Sequence, residues 1–133
     1  MSFDYIDYIS KKIKLFVDYI KNYISDTKYK LNNLESTNIE LAKQYLDNNK
    51  LNEAYSRLRI IHFLWPNNVD GAYFYAILLV FSEKKEKAVN ILDKFDNEYI
   101  SRLLYIVNNY DSNYILDVVE KNNIKLSELK NVL

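Results

Sequence analysis

Between residues 3 and 24, Ile6, Ile9, Ile13, Phe16, Val17, Ile20 and Ile24 recur at three- and four-residue steps, the spacing that sets side chains on one face of a helix. Tyr5, Tyr8, Tyr19 and Tyr23 flank this stripe and widen the apolar face to roughly 180°, well past the ~100° that packing against one surface needs. The pattern predicts a first, amphipathic helix. Its tyrosines either border a core stripe with their hydroxyls in water or meet a partner or a second copy. Residues 25–36 are polar apart from Tyr29, Leu31 and Leu34, which fits either a continuation with a narrower stripe or a break near Asp26.

At Thr37-Asn38-Ile39-Glu40 the hydroxyl can accept the backbone N–H of the fourth residue while the Glu reaches back. This capping-box pattern predicts a helix from Thr37 to about Asp47. Asn48-Asn49-Lys50 should break it, because Asn tolerates the left-handed conformation of a C-cap. A further helix over 51–64 should end against Pro66. Laid against itself, the chain brings Ala42 onto Ala76 (76−42 = 34), Ala54 onto Ala88 (88−54 = 34) and Leu58 onto Leu92 (92−58 = 34). The same offset pairs Leu41 with Tyr75, Tyr45 with Leu79 and Ile61 with Phe95. Small residues in register with large ones let two helices approach closely while the large ones fill the gaps, so each unit is predicted to be a helical hairpin covered by the next.

A 34-residue period with this pattern resembles the tetratricopeptide repeat. In 35–68 the matching residues are Leu41, Ala42, Tyr45, Ala54, Leu58, Ile61 and Pro66. In 69–102 they are Ala72, Tyr75, Ala76, Leu79, Ala88, Leu92 and Phe95. Asn38 stands where the repeat has Trp, and Ile100 where it has its second Pro. The resemblance covers about half the chain and implies an all-α fold of tandem helical hairpins in a right-handed superhelix. The chain is expected to be a single domain, 1–133, divided into an N-terminal amphipathic helix (1–34), two repeats (35–68 and 69–102) and a degenerate repeat with a C-terminal cap (103–133). In that last part Leu103, Leu104, Ile106 and Val107 suggest one helix, Tyr114, Ile115, Val118 and Val119 another, and a short last helix lies near Ser127.

The first helix of each hairpin lines a groove in this family, and its ligand contacts come from there. Carried onto this chain, the resemblance implies partner-binding residues Ile39, Lys43, Leu46 and Asp47 in the first unit and Tyr73, Ile77, Val80 and Phe81 in the second. Members that clamp a C-terminal carboxylate use Lys and Asn where Ile39, Tyr73 and Ile77 stand here, so no such clamp is expected. An apolar groove needs cover. Either an apolar segment of a partner or the chain's own first helix would supply it.

Composition removes other classes. One Gly and one Pro in 133 residues leave an all-β fold without turn residues. Lys+Arg and Asp+Glu are both 18, so there is no net field for phosphate and nucleic acid is not an expected partner. With no Cys and a lone His62, neither a thiolate nor a histidine metal site can be assembled, and no metal or cofactor is expected. No phosphate loop or nucleophile grouping is present, so the chain is not expected to be an enzyme. Asp4 and Asp7 stand where a secretory signal would be basic, and the apolar run 71–81 covers only ~16 Å as a helix. A cytoplasmic protein without a transmembrane segment is expected. Trp65-Pro66 should close a hairpin corner, and 83–87 alternates in charge like a solvated turn and helix start. The size and layout are also similar to small tetratricopeptide-type chaperones of type III secretion, which implies shielding of apolar helices in partner subunits. The alternatives are a homo-oligomerisation module that uses the first helix and, more remotely, a membrane-surface protein, which Asp4, Asp7 and Asp18 oppose.

Overall fold

The computed structural model describes residues 5–26 and 28–133, with side chains for all of these except 21–33. Phe3, Asp4 and the side chains of Tyr23, Ile24, Tyr29 and Leu31 therefore lie outside the described residues. Among the described residues the chain is all-helical, with no strand. The helices are α1 (Tyr5–Asp26), α2 (Lys28–Asp47), α3 (Leu51–Leu64), α4 (Val69–Phe81), α5 (Lys85–Leu92), α6 (Glu98–Asn109), α7 (Tyr114–Asn122) and a 3₁₀ segment, Leu126–Asn131. The chain divides into two compact units, Met1–Ser36 and Thr37–Leu133.

In the first unit, α1 bears the apolar face that its periodicity predicts, and that face is exposed. Ile6 is 78% and Phe16 65% accessible, and Tyr5, Ile13, Leu15 and Tyr19 are exposed as well. The polar side carries a Lys11–Asp7 ion pair at 3.1 Å, one helical turn apart.

A helix starting at Thr37 is not what forms. α2 begins at Lys28 and runs through 37–40 without interruption. A capping box marks a start only where the preceding residues leave the helix. Here residues 28–36 contain Lys, Leu and Glu and neither Gly nor Pro, so propensity carries the helix through. The choice between a continuous helix and a break near Asp26 falls on Thr27, which lies outside the described residues.

In the second unit the turn after α2 recurs after α4. The Lys50 N–H donates to the Tyr45 carbonyl (2.8 Å) and the Asn49 N–H to Leu46 (3.2 Å), while Lys84 donates to Leu79 (2.8 Å) and Glu83 to Val80 (3.0 Å). Asn49 and Glu83 have φ of 57° and 60°, and 83−49 = 34. Both turns are Schellman caps, in which a left-handed residue lets the next N–H satisfy orphaned carbonyls. The four alanines in the 34-residue register, Ala42, Ala54, Ala76 and Ala88, are all buried, as are Leu58 and Leu92.

α3 ends at Leu64, and Trp65 leaves the helical region, at φ −129° and ψ 71°, before Pro66, whose ring disfavours a helical residue ahead of it. The Asn68 side chain then caps α4 by accepting the Gly71 N–H at 2.8 Å. From Gly71 to Val80 every residue of α4 is buried. A helix apolar all round belongs in a core, and α4 packs against α3, α5 and α6. At Gly71, α3 comes close. A Cβ there would meet Ile61 Cγ2 at 2.9 Å. α6 is capped by Asn97 and buries Ile100, Leu103, Ile106 and Val107, and α7 buries Ile115.

Candidate partner-binding face

Ile39, Lys43, Leu46 and Asp47 occupy one side of α2, and α4 crosses beside them. Lys43 Nζ pairs with Asp70 of α4 at 3.1 Å and with Glu40 at 3.7 Å, and Ile39 Cδ1 lies 3.6 Å from the Cβ position of Gly71. Of the eight implied residues, Ile39, Leu46, Tyr73, Ile77 and Val80 are buried, and Lys43, Asp47 and Phe81 are half-buried. The structure brings Lys43, Asp47 and Tyr73 to one end of this face. Val80 turns instead to a cleft of about 340 Å³ that it lines with Ile106, Val107, Tyr110 and Ile115.

What meets the α2–α4 end is the C-terminal 3₁₀ segment of the same unit. The Ser127 backbone N–H donates to Asp47 Oδ1 (3.2 Å) and its hydroxyl to Asp47 Oδ2 (2.8 Å). Lys130 donates to Asp70 and sits over the rings of Tyr73 and Tyr99, 6.0 and 5.2 Å from their centroids. Leu126 and Leu129 are buried in the common core. Two neighbours in α6 complete the seat, Tyr99 and Arg102, the latter donating to the Leu133 carbonyl at 3.4 Å.

The electrostatics follow from this packing. Burial alone would raise the Asp70 carboxyl, but hydrogen bonds and charge from Lys130 and Lys43 outweigh it and hold the carboxyl below its ordinary range. Burial, reinforced by the Asp70 charge, pushes the Tyr73 phenol well above its ordinary value. Both effects keep this end of the face acidic and neutral groups in fixed states, an anionic seat between two lysines.

Asp70, Leu126, Ser127, Leu129 and Lys130 are missing from the set that the resemblance implies. The Leu126/Leu129 and Ser127/Lys130 spacing of three is the one signal in the sequence that could have marked them, since it stacks both pairs in a 3₁₀ turn.

Two other features lie outside this face. His62 packs against Tyr75 with ring centroids 5.6 Å apart. Burial first, then Lys94 and Lys87, hold its imidazole below the ordinary value, and its Nδ1 meets no hydrogen-bond partner among the described residues. On the outer side of α3, Tyr55, Arg59, Ile60, Phe63 and Leu64 line a cleft of about 460 Å³, with Phe63 83% exposed. Among the described residues no group of three or more His, Cys, Asp or Glu could hold a metal ion, and no helix is long and apolar enough to cross a membrane. Set beside protein-family models, curated proteins and solved structures, the chain matches none of them.

Proposed function

We propose that this chain is a protein-interaction module of the tetratricopeptide kind, with α2–α3 and α4–α5 as its tandem hairpins. In this reading the face shared by α2 and α4 receives a short apolar helical segment of a partner protein, and no step of catalysis is involved. The observation that carries it is the seat itself: that face already holds a short helical segment through two carboxylates and an apolar floor. The repeated Schellman turns, 34 residues apart, support the repeat reading. Short random peptides displayed against the folded chain test it. Enriched sequences should carry apolar residues at three- and four-residue spacing, and their binding should fall about tenfold with Asp47→Arg. Binders indifferent both to Asp47→Arg and to Lys43→Glu would overturn the reading.

A second reading rests on α1. Ile6, Ile9, Ile13, Phe16 and Ile20 alternate steps of three and four and are all exposed, which is the seam of a two-helix coil. Under this reading the chain self-associates through α1, and light scattering reports a dimer that Ile13→Asp together with Ile20→Asp dissolves. A monomer at high concentration removes this reading and leaves the first one standing.

A further inference from the structure

The C-terminal segment is held at both ends by groups that suit a helical turn of one particular composition. At its start, Asp47 accepts the Ser127 N–H and hydroxyl. The first N–H groups of a helical turn have no partner inside the turn, and a carboxylate placed there satisfies them and complements the local dipole. One turn later Lys130 delivers a cation to Asp70. Three residues per turn place Ser127 and Lys130 on one side and Leu126 and Leu129 on another. The second pair is buried, so each side of the turn has its own surface to meet.

We infer that Leu126–Asn131 is a resident ligand of the α2–α4 face, and that a partner reaches the face only by displacing it with a turn of the same chemistry: Leu-hydroxyl-x-Leu-Lys. This rests on the functional reading above and deepens it by naming the ligand pattern and the competitor. The charge pattern makes the choice one-sided. The seat offers Asp47 to unpaired N–H groups and Asp70 to a cation, whereas Lys43 already neutralises part of the Asp70 charge. A segment with an acidic residue in the place of Lys130 meets like charge at Asp70 and is rejected. The resident segment is also present at high effective concentration, because it is tethered to α7 by a short connection, Asn123 to Lys125. A free partner segment therefore competes against an intramolecular rival.

The probe is a fluorescein-labelled synthetic peptide of sequence 124–133, titrated into the full-length chain and into full-length Ser127→Ala/Lys130→Ala. These two changes weaken the resident contacts and leave Leu126 and Leu129 in place. The peptide is expected to bind the double variant about tenfold tighter than the unaltered chain. A second peptide with Glu in place of Lys130 should lose about tenfold against the double variant. Equal binding to both proteins overturns the competition and leaves the functional reading intact. Absence of binding to both, with circular dichroism and Trp65 fluorescence showing folded protein, overturns inference and reading together. If the double variant unfolds, Ser127→Ala alone serves, with the same two outcomes at a smaller, about threefold, difference.

Discussion

α1 and α4 are both rich in large apolar residues, and the structure uses them in opposite ways. α1 gathers them on one face and leaves that face accessible, with Ile6, Ile13, Phe16 and Tyr19 exposed. α4 spreads them around its whole circumference and buries every residue from Gly71 to Val80. The contrast shows why hydrophobic content alone does not locate a core. A one-sided stripe can be satisfied by any single surface, whereas a helix apolar all round is stable only when elements of its own fold enclose it. α3, α5 and α6 do this for α4. The ends of α4 are set as well: Asn68 caps its start and the Glu83 turn closes its end. The energetics of the two helices should therefore differ for chemically identical changes.

Removing one phenylalanine from each makes the sharpest test. Phe74 is fully buried, packed edge-on to Tyr73 with centroids 5.4 Å apart, so Phe74→Ala should cost ~3–5 kcal/mol. Phe16→Ala removes the same atoms from an exposed site and should fall within ~0.5 kcal/mol. Urea unfolding followed by far-ultraviolet circular dichroism, which sees the helices of both units, measures both. Equal costs would break the contrast and require α1 to be as enclosed as α4.

A smaller effect comes from adding an atom where α3 lies close against α4. Gly71→Ala places a methyl group 2.9 Å from Ile61 Cγ2, a methyl on a branched Cβ whose restricted χ1 cannot move it away cheaply. Alanine is the better helix former by ~1 kcal/mol, but overpacking of this kind costs ~1–3 kcal/mol, so net destabilisation is expected from a lower urea midpoint. A gain in stability would mean that α3 and α4 have slack at their crossing. An added methyl group on the exposed face of α1 has nothing comparable to meet.

The all-helical character of the described residues is legible in the sequence. The four alanines in the 34-residue register, Ala42/Ala76 and Ala54/Ala88, are all buried, where small residues permit close helix approach. Asn49 announced its left-handed turn through residue type. The start of α2 is not legible in the sequence, since Thr37-x-x-Glu40 looks the same inside a helix as at its beginning. The seat of the C-terminal segment was hidden for another reason. Ser127 and Asp47 stand 80 residues apart, and Lys130 and Asp70 60 apart, so no local pattern links them. Asp70 alone reads as an ordinary acid in the first turn of a helix. The alternating charge of 83–87 predicts a solvated turn and helix start, and Glu83 is exposed in a turn with α5 starting at Lys85; its left-handed φ of 60° is not legible from its residue type.

That register also sets the smallest expected effect, at the end of α4. A left-handed conformation costs an ordinary L-residue ~1–2 kcal/mol relative to its preferred region, whereas Gly adopts it freely but loses more chain entropy on folding, ~0.5–1 kcal/mol. Glu83→Gly should therefore stabilise the second unit by ~0.5–1 kcal/mol, read as a higher urea midpoint with unchanged slope. The matched change, Asn49→Gly, should give less, because Asn already tolerates this region through local hydrogen bonding of its side chain. Glu83 is exposed and no packing is lost with its side chain, so the difference between the two variants isolates backbone strain. If Asn49→Gly stabilised as much as Glu83→Gly, the two turns would not differ in strain, and the end of α4 would be no more constrained than the end of α2.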